Sequence, residues 1–471
     1  MSEIPFIKLI KTPLGKYAYD VNKNQMIRLS DELYDYFAGS CKGDVSDDIK
    51  VQIEELKKKG YLSSFHIQKI RHPESDNIRF HIEKNIEQLT IQVTQQCNFR
   101  CSYCPYTTAE FDSQREHGTK QMSLETAKKS IDFLAEHSKD QEGVAVGFYG
   151  GEPLLRFDLI KEVTEYAEEK FFGKGISFTV TTNGSLLTED KVEFLIDHEF
   201  QVMISLDGPP EVHNRSRKFA ASGRGTFASI EKNLLMIQEK YPEFLERLSI
   251  NVVIDPRFSA NSLHEMFSTS IFENLNIQST LIDDFFCIEM TVSDEHYLKE
   301  ENIHEFRAMM SMIGKYPKEK VSKLAYNSCM GFFDDIKKKM KPSTGLAPVM
   351  APGGPCVPGQ RRLFVNVDGA LYPCERISET SDIMRIGDIY NGIDHAKVDA
   401  LLNIGQLTEE KCKHCYAVRY CTLCAKNCDN NGELSPELKA SNCQSVHNEV
   451  MEKFRDYLFT REFSIGEWER I

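Results

Sequence analysis

The sequence lacks a long apolar run: no 18 consecutive residues are apolar, so no membrane-spanning helix is expected. Its start, Met1-Ser2-Glu3-Ile4-Pro5, lacks a basic segment followed by an apolar stretch, so no signal peptide is expected. It lacks an excess of positive charge. Lys and Arg number 57 against 71 Asp and Glu, a net charge of −14, which argues against a general nucleic-acid binder. No long-period repeat or low-complexity tract is evident. These absences predict a cytoplasmic, reducing setting, with neither membrane nor nucleic acid as partner. The 471 residues suit two or three domains of roughly 100–200 residues each. A composition of 41% hydrophobic and 27% charged residues is that of a globular protein.

Cysteine, in contrast, is plentiful at 14 residues. A chain of this length buries a core without disulfide staples, which excludes a small disulfide scaffold. Three cysteines lie within Cys97–Cys104 and eight between Cys356 and Cys443. Clusters without a secretory signal read as metal sites. Cys41, Cys287 and Cys329 stand apart and read as ordinary thiols.

Residues 16–21 and 25–29 read as strands around a turn at Asn22-Lys23-Asn24. Ser30 caps an acidic helix start, and a second helix from about Ser46 to Lys59 stops at Gly60. This predicts a winged-helix-like domain over 1–85, or else an extension packed on the main body. A strand–helix rhythm follows over 86–310. Strands are predicted at 89–93, 144–148, 176–181, 202–206, 248–254 and near 275–283. Helices are predicted near 123–137, 157–171, after a Thr188 cap, and near 226–240. Buried strands alternating with amphipathic helices mean an α/β fold with a parallel sheet, either a partial (β/α) barrel or an open doubly wound sheet. Residues 341–359 read as irregular linker. The cysteine-rich remainder of 311–471 is expected to carry only short elements between cysteines, with metal rather than a large apolar core holding it. A helix is predicted over about 448–459.

Cys97, Cys101 and Cys104 follow the first strand with the spacing Cys-x3-Cys-x2-Cys. Three thiolates in one loop can hold three irons of a 4Fe–4S cube and leave one iron open. Zinc is the alternative for this spacing. Ligands of parallel α/β units bind at the carboxyl ends of the strands. Three further strand ends are polar or glycine-rich: Tyr149-Gly150-Gly151-Glu152-Pro153, Thr181-Thr182-Asn183-Gly184 and Ser205-Leu206-Asp207-Gly208. Near the C-terminus, Cys356, Cys374, Cys412, Cys415, Cys421, Cys424, Cys428 and Cys443 provide thiolates for two four-ligand sites. Zinc ribbons use Cys-x2-Cys pairs as well.

The three-cysteine motif with Tyr103 before its last cysteine, followed by Gly-Gly-Glu-Pro, resembles the radical S-adenosylmethionine (SAM) superfamily over residues 89 to about 285. The resemblance implies a partial (β/α)6 barrel, a 4Fe–4S cluster and S-adenosyl-L-methionine chelated at the open iron. Gly150, Gly151, Glu152 and Pro153 match the motif that contacts the SAM amino group. Asn183 and Ser205 match positions facing the ribose or carboxylate. Arg217 resembles a basic position that neutralises the carboxylate, the alternative being a solvated surface arginine. Tyr103 is placed near the adenine, or in the core. Together with the barrel, the C-terminal pattern resembles the SPASM extension of peptide-modifying radical SAM enzymes, which implies two auxiliary 4Fe–4S clusters. The implied outer set is Cys412, Cys415, Cys421 and Cys443. The implied inner set is Cys356, Cys374 and either Cys428 or Cys424, with Cys329 able to complete it. The chain departs from the family pattern here, with Ala425 where a cysteine is usual.

The N-terminal domain resembles a leader-recognition element that adds an extended leader to a sheet edge as a strand. The expected function is therefore maturation of a ribosomally made, Cys-containing precursor peptide with a leader, by thioether formation. Electrons would come from a flavodoxin- or ferredoxin-type donor. Anaerobic sulfatase-maturing enzymes are the first rival. That family carries an Asp after the Gly-x4-Cys unit, where this chain has Glu375. Glu375 is the candidate base, or else a carboxylate paired with Arg376. Peptide epimerisation, carbon–carbon crosslinking and a zinc-stabilised binding protein are the other rivals.

Overall fold

A computed structural model describes residues 4–40, 46–104, 117–268, 271–272, 275–282 and 293–464. Cys41 and Cys287 lie outside the described residues. The chain opens with a three-stranded antiparallel meander: β1 (Ile7–Lys11), β2 (Lys16–Asp20) and β3 (Gln25–Leu29). Asn24 turns it at φ 56°, a left-handed value that Asn tolerates. Ser30 Oγ accepts from Leu33 N at 3.2 Å and starts α1 (Asp31–Phe37). Ser46 Oγ likewise accepts from Ile49 N and starts α2 (Asp47–Lys58), which ends before Gly60. Side chains alternate across a strand, so this small sheet has two apolar faces. Ala18 and Leu29 pack on Leu33 and Ile49 of its own helices. Ile10, Tyr17 and Tyr19 turn the other way, into a core shared with the C-terminal region. A short strand, β4 (Lys69–Ile70), and α3 (Ile78–Lys84) follow. Ile78 and Ile82 of α3 pack into the core of the next unit, so residue 85 lies beyond a helix already committed to it.

That unit runs β5 (Gln88–Thr94), α4 (Leu124–His137), β6 (Gly143–Gly150), α5 (Phe157–Lys170), β7 (Gly175–Thr182), α6 (Glu189–Asp197), β8 (Gln201–Ser205), α7 (Pro210–Ser216), α8 (Phe227–Lys240), β9 (Leu248–Ile254), α9 (Ala260–Met266) and β10 (Asn276–Leu281). The six strands β5 to β10 pair in parallel in chain order. No reversal of order occurs, which removes the doubly wound alternative and leaves an open, partial barrel. Thr188 precedes α6 but does not cap it as expected. Its hydroxyl goes to Asp190 Oδ1 at 2.5 Å, within reach of a residue two positions on, and not to a helix N–H.

The register sorts the two faces of the sheet. Ile91 stands beside Phe148, and both join Ala127, Ile131 and Leu134 of α4 in one core. The opposite, lumen-facing set includes Thr90, Gln92, Thr179, Thr181, Met203, Ser205 and Asn251. Thr179, Thr181, Met203, Ser205 and Asn251 are half-exposed, so the lumen wall is polar and open.

Helices α10 (Glu295–Met312) and α11 (Lys323–Lys339) lead to β11 (Val349–Met350), which pairs in parallel with β4. β12 (Leu363–Val365) then adds to the barrel sheet in parallel beside β5, and β13 (Ala370–Tyr372) returns antiparallel. β14 (Gly387–Asp388) and β15 (Gly392–Ile393) complete ten strands. Three helices close the chain: α12 (His395–Leu402), α13 (Glu409–Lys413) and α14 (Pro436–Phe463).

Two expectations are corrected here. The predicted tail helix begins earlier, at Pro436 with Ser435 as its cap, and carries Cys443 within its 28 residues. The cysteine-rich region does have an apolar core, because the N-terminal sheet supplies its missing half. Tyr19 meets Phe454 at 4.7 Å between rings, with Tyr420 and Val450 in the same cluster. Among the described residues, no helix is long and apolar enough to cross a membrane.

Candidate functional site

The loop Cys97–Cys104 leaves the carboxyl end of β5 and is clamped from three sides. From β6, Gly151 N donates to Thr94 O at 2.9 Å and Glu152 N to Gln96 O at 2.8 Å. This contact requires glycine. A Cβ on Gly150 would sit 2.3 Å from Thr94 O, and one on Gly151 2.1 Å from Gln96 O. From β7, Asn183 Nδ2 donates to Asn98 Oδ1 at 2.8 Å. From the segment after α7, Arg100 N donates to Lys218 O at 2.9 Å and Ser102 N to Ser216 O at 3.1 Å.

Glu152 fastens two of these clamps together. Its carboxylate is 1% exposed and accepts from Thr182 Oγ1 at 2.7 Å, Asn183 N at 2.7 Å and Leu154 N at 3.0 Å. Burial pushes its pKa up, and these hydrogen bonds pull it back. Pro153 begins the short 3-10 turn that follows. Ser205 sits half-exposed at the end of β8, on the lumen face. The expected SAM-contacting residues therefore share the rim that holds the three thiols.

Cys97, Cys101 and Cys104 lie within electrostatic reach of one another. Burial pushes the Cys97 thiol up to about 12, and Cys101 rises for the same reason. Both are neutral near pH 7, so ligation must release protons. None of the described cysteines forms a disulfide.

Asp207 anchors the other side of this rim. Arg217 donates through Nε to Asp207 Oδ2 at 2.8 Å and through Nη2 to Oδ1 at 3.0 Å. Tyr103 donates its hydroxyl to Asp207 Oδ2, and the Arg217 guanidinium stands 5.4 Å from the centre of the Tyr103 ring. Arg217 is therefore buried, not a solvated surface residue. Both oxygens of Asp207 are engaged in a fork that is bidentate and charge-assisted. In the sequence Asp207 stood only as part of a polar turn. An acid one residue past a strand end, ten positions before an Arg, was the available signal.

His213 supports the same network from beneath. It is fully buried; its Nδ1 accepts from Asp207 N at 3.2 Å, and its Nε2 meets Thr226 Oγ1 at 2.9 Å. Burial, with the nearby Arg217 charge, lowers its pKa from 6.5 to about 4. The unfolded chain binds this proton near pH 6.5 and the folded chain only near 4. The stability it contributes is complete above pH 6.5 and is lost as pH falls through that window, by on the order of 3 kcal/mol. Urea midpoints of the metal-free protein should fall between pH 7 and 4.5, and His213→Asn should flatten that fall. An unchanged pH slope in the variant would show that His213 carries none of it.

The second group of thiols surrounds a cavity of about 280 Å³. Cys412, Cys415, Cys421 and Cys443 all line it, which is the implied outer set. His447 Nε2 stands 3.2 Å from Cys415 Sγ. Cys374 and Cys356 form a third group with Cys424, which lies within electrostatic reach of both. Cys428 is fully buried; its Sγ donates to Cys424 O at 3.6 Å, and Lys439, Cys424, Cys421 and Cys443 lie within electrostatic reach of it. Cys329 packs between α10 and α11, with its Sγ 3.2 Å from Met312 Sδ, in a separate apolar cluster.

The shape of these groups bears on what fills them. Among the described residues, no three His, Cys, Asp or Glu side chains stand close enough together to hold one metal ion. A 4Fe–4S cube sets each thiolate on a separate corner. The all-thiol donor sets, and the cavity that four of them line, fit such clusters.

The strand register places the groups at opposite ends of the barrel. Cys97 lies beyond Thr94 at the carboxyl end of β5. Phe364 pairs with Tyr372 and with Thr90, so Cys374 falls level with the amino end of β5. Glu375 is at that end too, and accepts from Arg362 Nη1 at 2.8 Å, with Arg376 farther away at 3.7 Å. A different carboxylate reaches the lumen wall: Glu379 Oε1 accepts from Gln92 Nε2 at 2.8 Å. Sequence reading missed Glu379, since no spacing ties it to β5.

Comparisons with known proteins agree with this layout. Residues 91–269 match the model of the radical SAM superfamily. The chain is 23% identical over 383 residues to a cysteine-type anaerobic sulfatase-maturating enzyme of Clostridium perfringens, covering 79% of this chain and 95% of that one. It is 26% identical over 223 residues to the radical SAM cyclopropyl synthase TigE of Paramaledivibacter caminithermalis, covering 45% of each. The solved structure of anSMEcpe with bound AdoMet shares the fold, with a TM-score of 0.54 at 21% identity, covering 78% of this chain and 99% of that one.

Proposed function

We propose that this chain, whose residues 91–269 match the radical SAM superfamily, is a radical SAM enzyme that modifies a ribosomally made peptide by joining a cysteine sulfur to a carbon of another residue. When bound, a 4Fe–4S cluster with SAM would supply a 5′-deoxyadenosyl radical able to take one hydrogen atom from an unactivated carbon; the cysteine would lose its proton as the C–S bond forms, and the surplus electron would pass to an auxiliary cluster. The chain's own residues do the rest. Cys97, Cys101 and Cys104 would hold the first cluster. The Gly150–Pro153 turn, Asn183, Ser205 and the Asp207–Arg217 fork line the rim where SAM would lie. The polar lumen wall has room and hydrogen-bonding groups for a peptide backbone.

One observation carries the thioether reading. Cys356, Cys374 and Cys424 lie within electrostatic reach of one another, and the Cys428 sulfur, also near Cys424, is turned to the Cys424 carbonyl. That set leaves a place for a fourth thiol, supplied by the substrate. The N-terminal sheet supports a peptide substrate. Its edges, β1 and β3, each carry one partner strand and offer the ladder that strand addition uses.

A second reading, formylglycine formation in a sulfatase, is favoured by the match along 95% of the Clostridium perfringens enzyme. One experiment separates the two. The chain is coexpressed anaerobically with small Cys-containing precursor peptides sought among the reading frames beside its gene, with and without the leader. A thioether product is two hydrogens lighter per crosslink, resists thiol alkylation, and forms only with the leader. Fully alkylatable cysteines would sink the thioether reading, and an aldehyde-reactive product would establish the second.

A further inference from the structure

Lys439 is the one fully buried lysine among the described residues, at 1% exposure. It stands on α14 one turn before Cys443, on the wall of the 280 Å³ cavity. Its Nζ donates to Thr408 Oγ1 at 2.5 Å and to Cys412 Sγ at 3.4 Å. Among the described residues, no carboxylate pairs with it. Its positive charge also acts on Cys421 and Cys428, so its field reaches the four-thiol cavity and the thiol beside it.

A buried ammonium without an anion is strongly unfavourable. Ligation would make the four thiols that line the cavity anionic and so supply one beside Lys439. We propose that Lys439 is the counter-charge of the outer auxiliary cluster, raising its reduction potential and making the region's stability depend on loading. Reduction adds one electron to an already anionic site, and a fixed cation nearby favours the reduced form. This inference rests on the cavity holding a cluster.

The test uses full-length protein carrying Cys97→Ala, Cys101→Ala and Cys104→Ala, so that only auxiliary clusters remain, with Lys439→Met or Lys439→Arg added. Potentiometric titration is followed by electron paramagnetic resonance, with iron and sulfide counted in parallel. Lys439→Met should shift the one-electron equilibrium at least tenfold toward the oxidised form, which is about 59 mV lower. Lys439→Arg should titrate like its parent. Failure of Lys439→Met alone to load, with about four irons missing per chain, also supports the counter-charge. Melting adds a sign that simple packing would not give. Metal-free Lys439→Met should melt above its parent, and loaded Lys439→Met below it. An unchanged potential at full iron content would overturn the inference, as would metal-free Lys439→Met melting lower. Absence of auxiliary iron in the parent would overturn the cluster reading with it.

Discussion

Replacing Cys97, Cys101 and Cys104 together by Ala abolishes reductive cleavage of SAM. 5′-Deoxyadenosine, counted by chromatography after reduction, should fall to the level of a protein-free mixture. The expected effect is total because the three thiols come from one loop, clamped to β6, β7 and the end of α7, and among the described residues the other cysteines sit in other groups. The barrel should survive. Its core is built around Ile91, Phe148 and Ile131, and Cys101 is one small member of it, with Cys97 and Cys104 packed against its side. Persistent 5′-deoxyadenosine in a folded triple variant would remove the first cluster from this rim.

Cys424→Ala and Cys428→Ala should differ sharply although the two cysteines are four residues apart. Cys424 faces Cys356 and Cys374, so its loss should remove about four irons per chain, the content of one 4Fe–4S cluster. Peptide modification should stop, while 5′-deoxyadenosine still forms at the untouched rim. Cys428→Ala should keep its iron and its product, and cost on the order of 1 kcal/mol of stability from the small cavity left behind. Iron loss in Cys428→Ala with full iron in Cys424→Ala would reverse the assignment.

The barrel was legible because strands such as β9 carry a period-two alternation and several helices in the chain begin at a serine cap. Ser30, Ser46 and Ser123 are local signals, and the structure uses all three as side-chain caps. The first thiol loop was legible for the same reason, since its ligands lie within eight residues. What depends on contacts far apart in the chain was not. Asp207 and Arg217 meet across α7, and Lys439 looks like any surface lysine until Thr408 and Cys412 close over it. The second face of the N-terminal sheet was hidden, because Tyr19 meets Phe454 only through folding. β12 is three residues long, too short to show alternation, yet it fixes where Cys374 lies. The choice between Cys424 and Cys428 was open because spacing counts residues and ignores direction.

β5 runs from the end that holds Cys374 to the loop that holds Cys97. Its seven residues, at roughly 3.3 Å each, span a little over 20 Å. The strand is thus a ruler between two thiol groups. One inserted residue would move the groups apart by a step and also turn Thr90 and Gln92 from lumen to core. Helices and loops around the barrel can gain or lose residues without changing that distance, and β5 cannot. Natural length variation in enzymes of this design should therefore gather everywhere except along this strand.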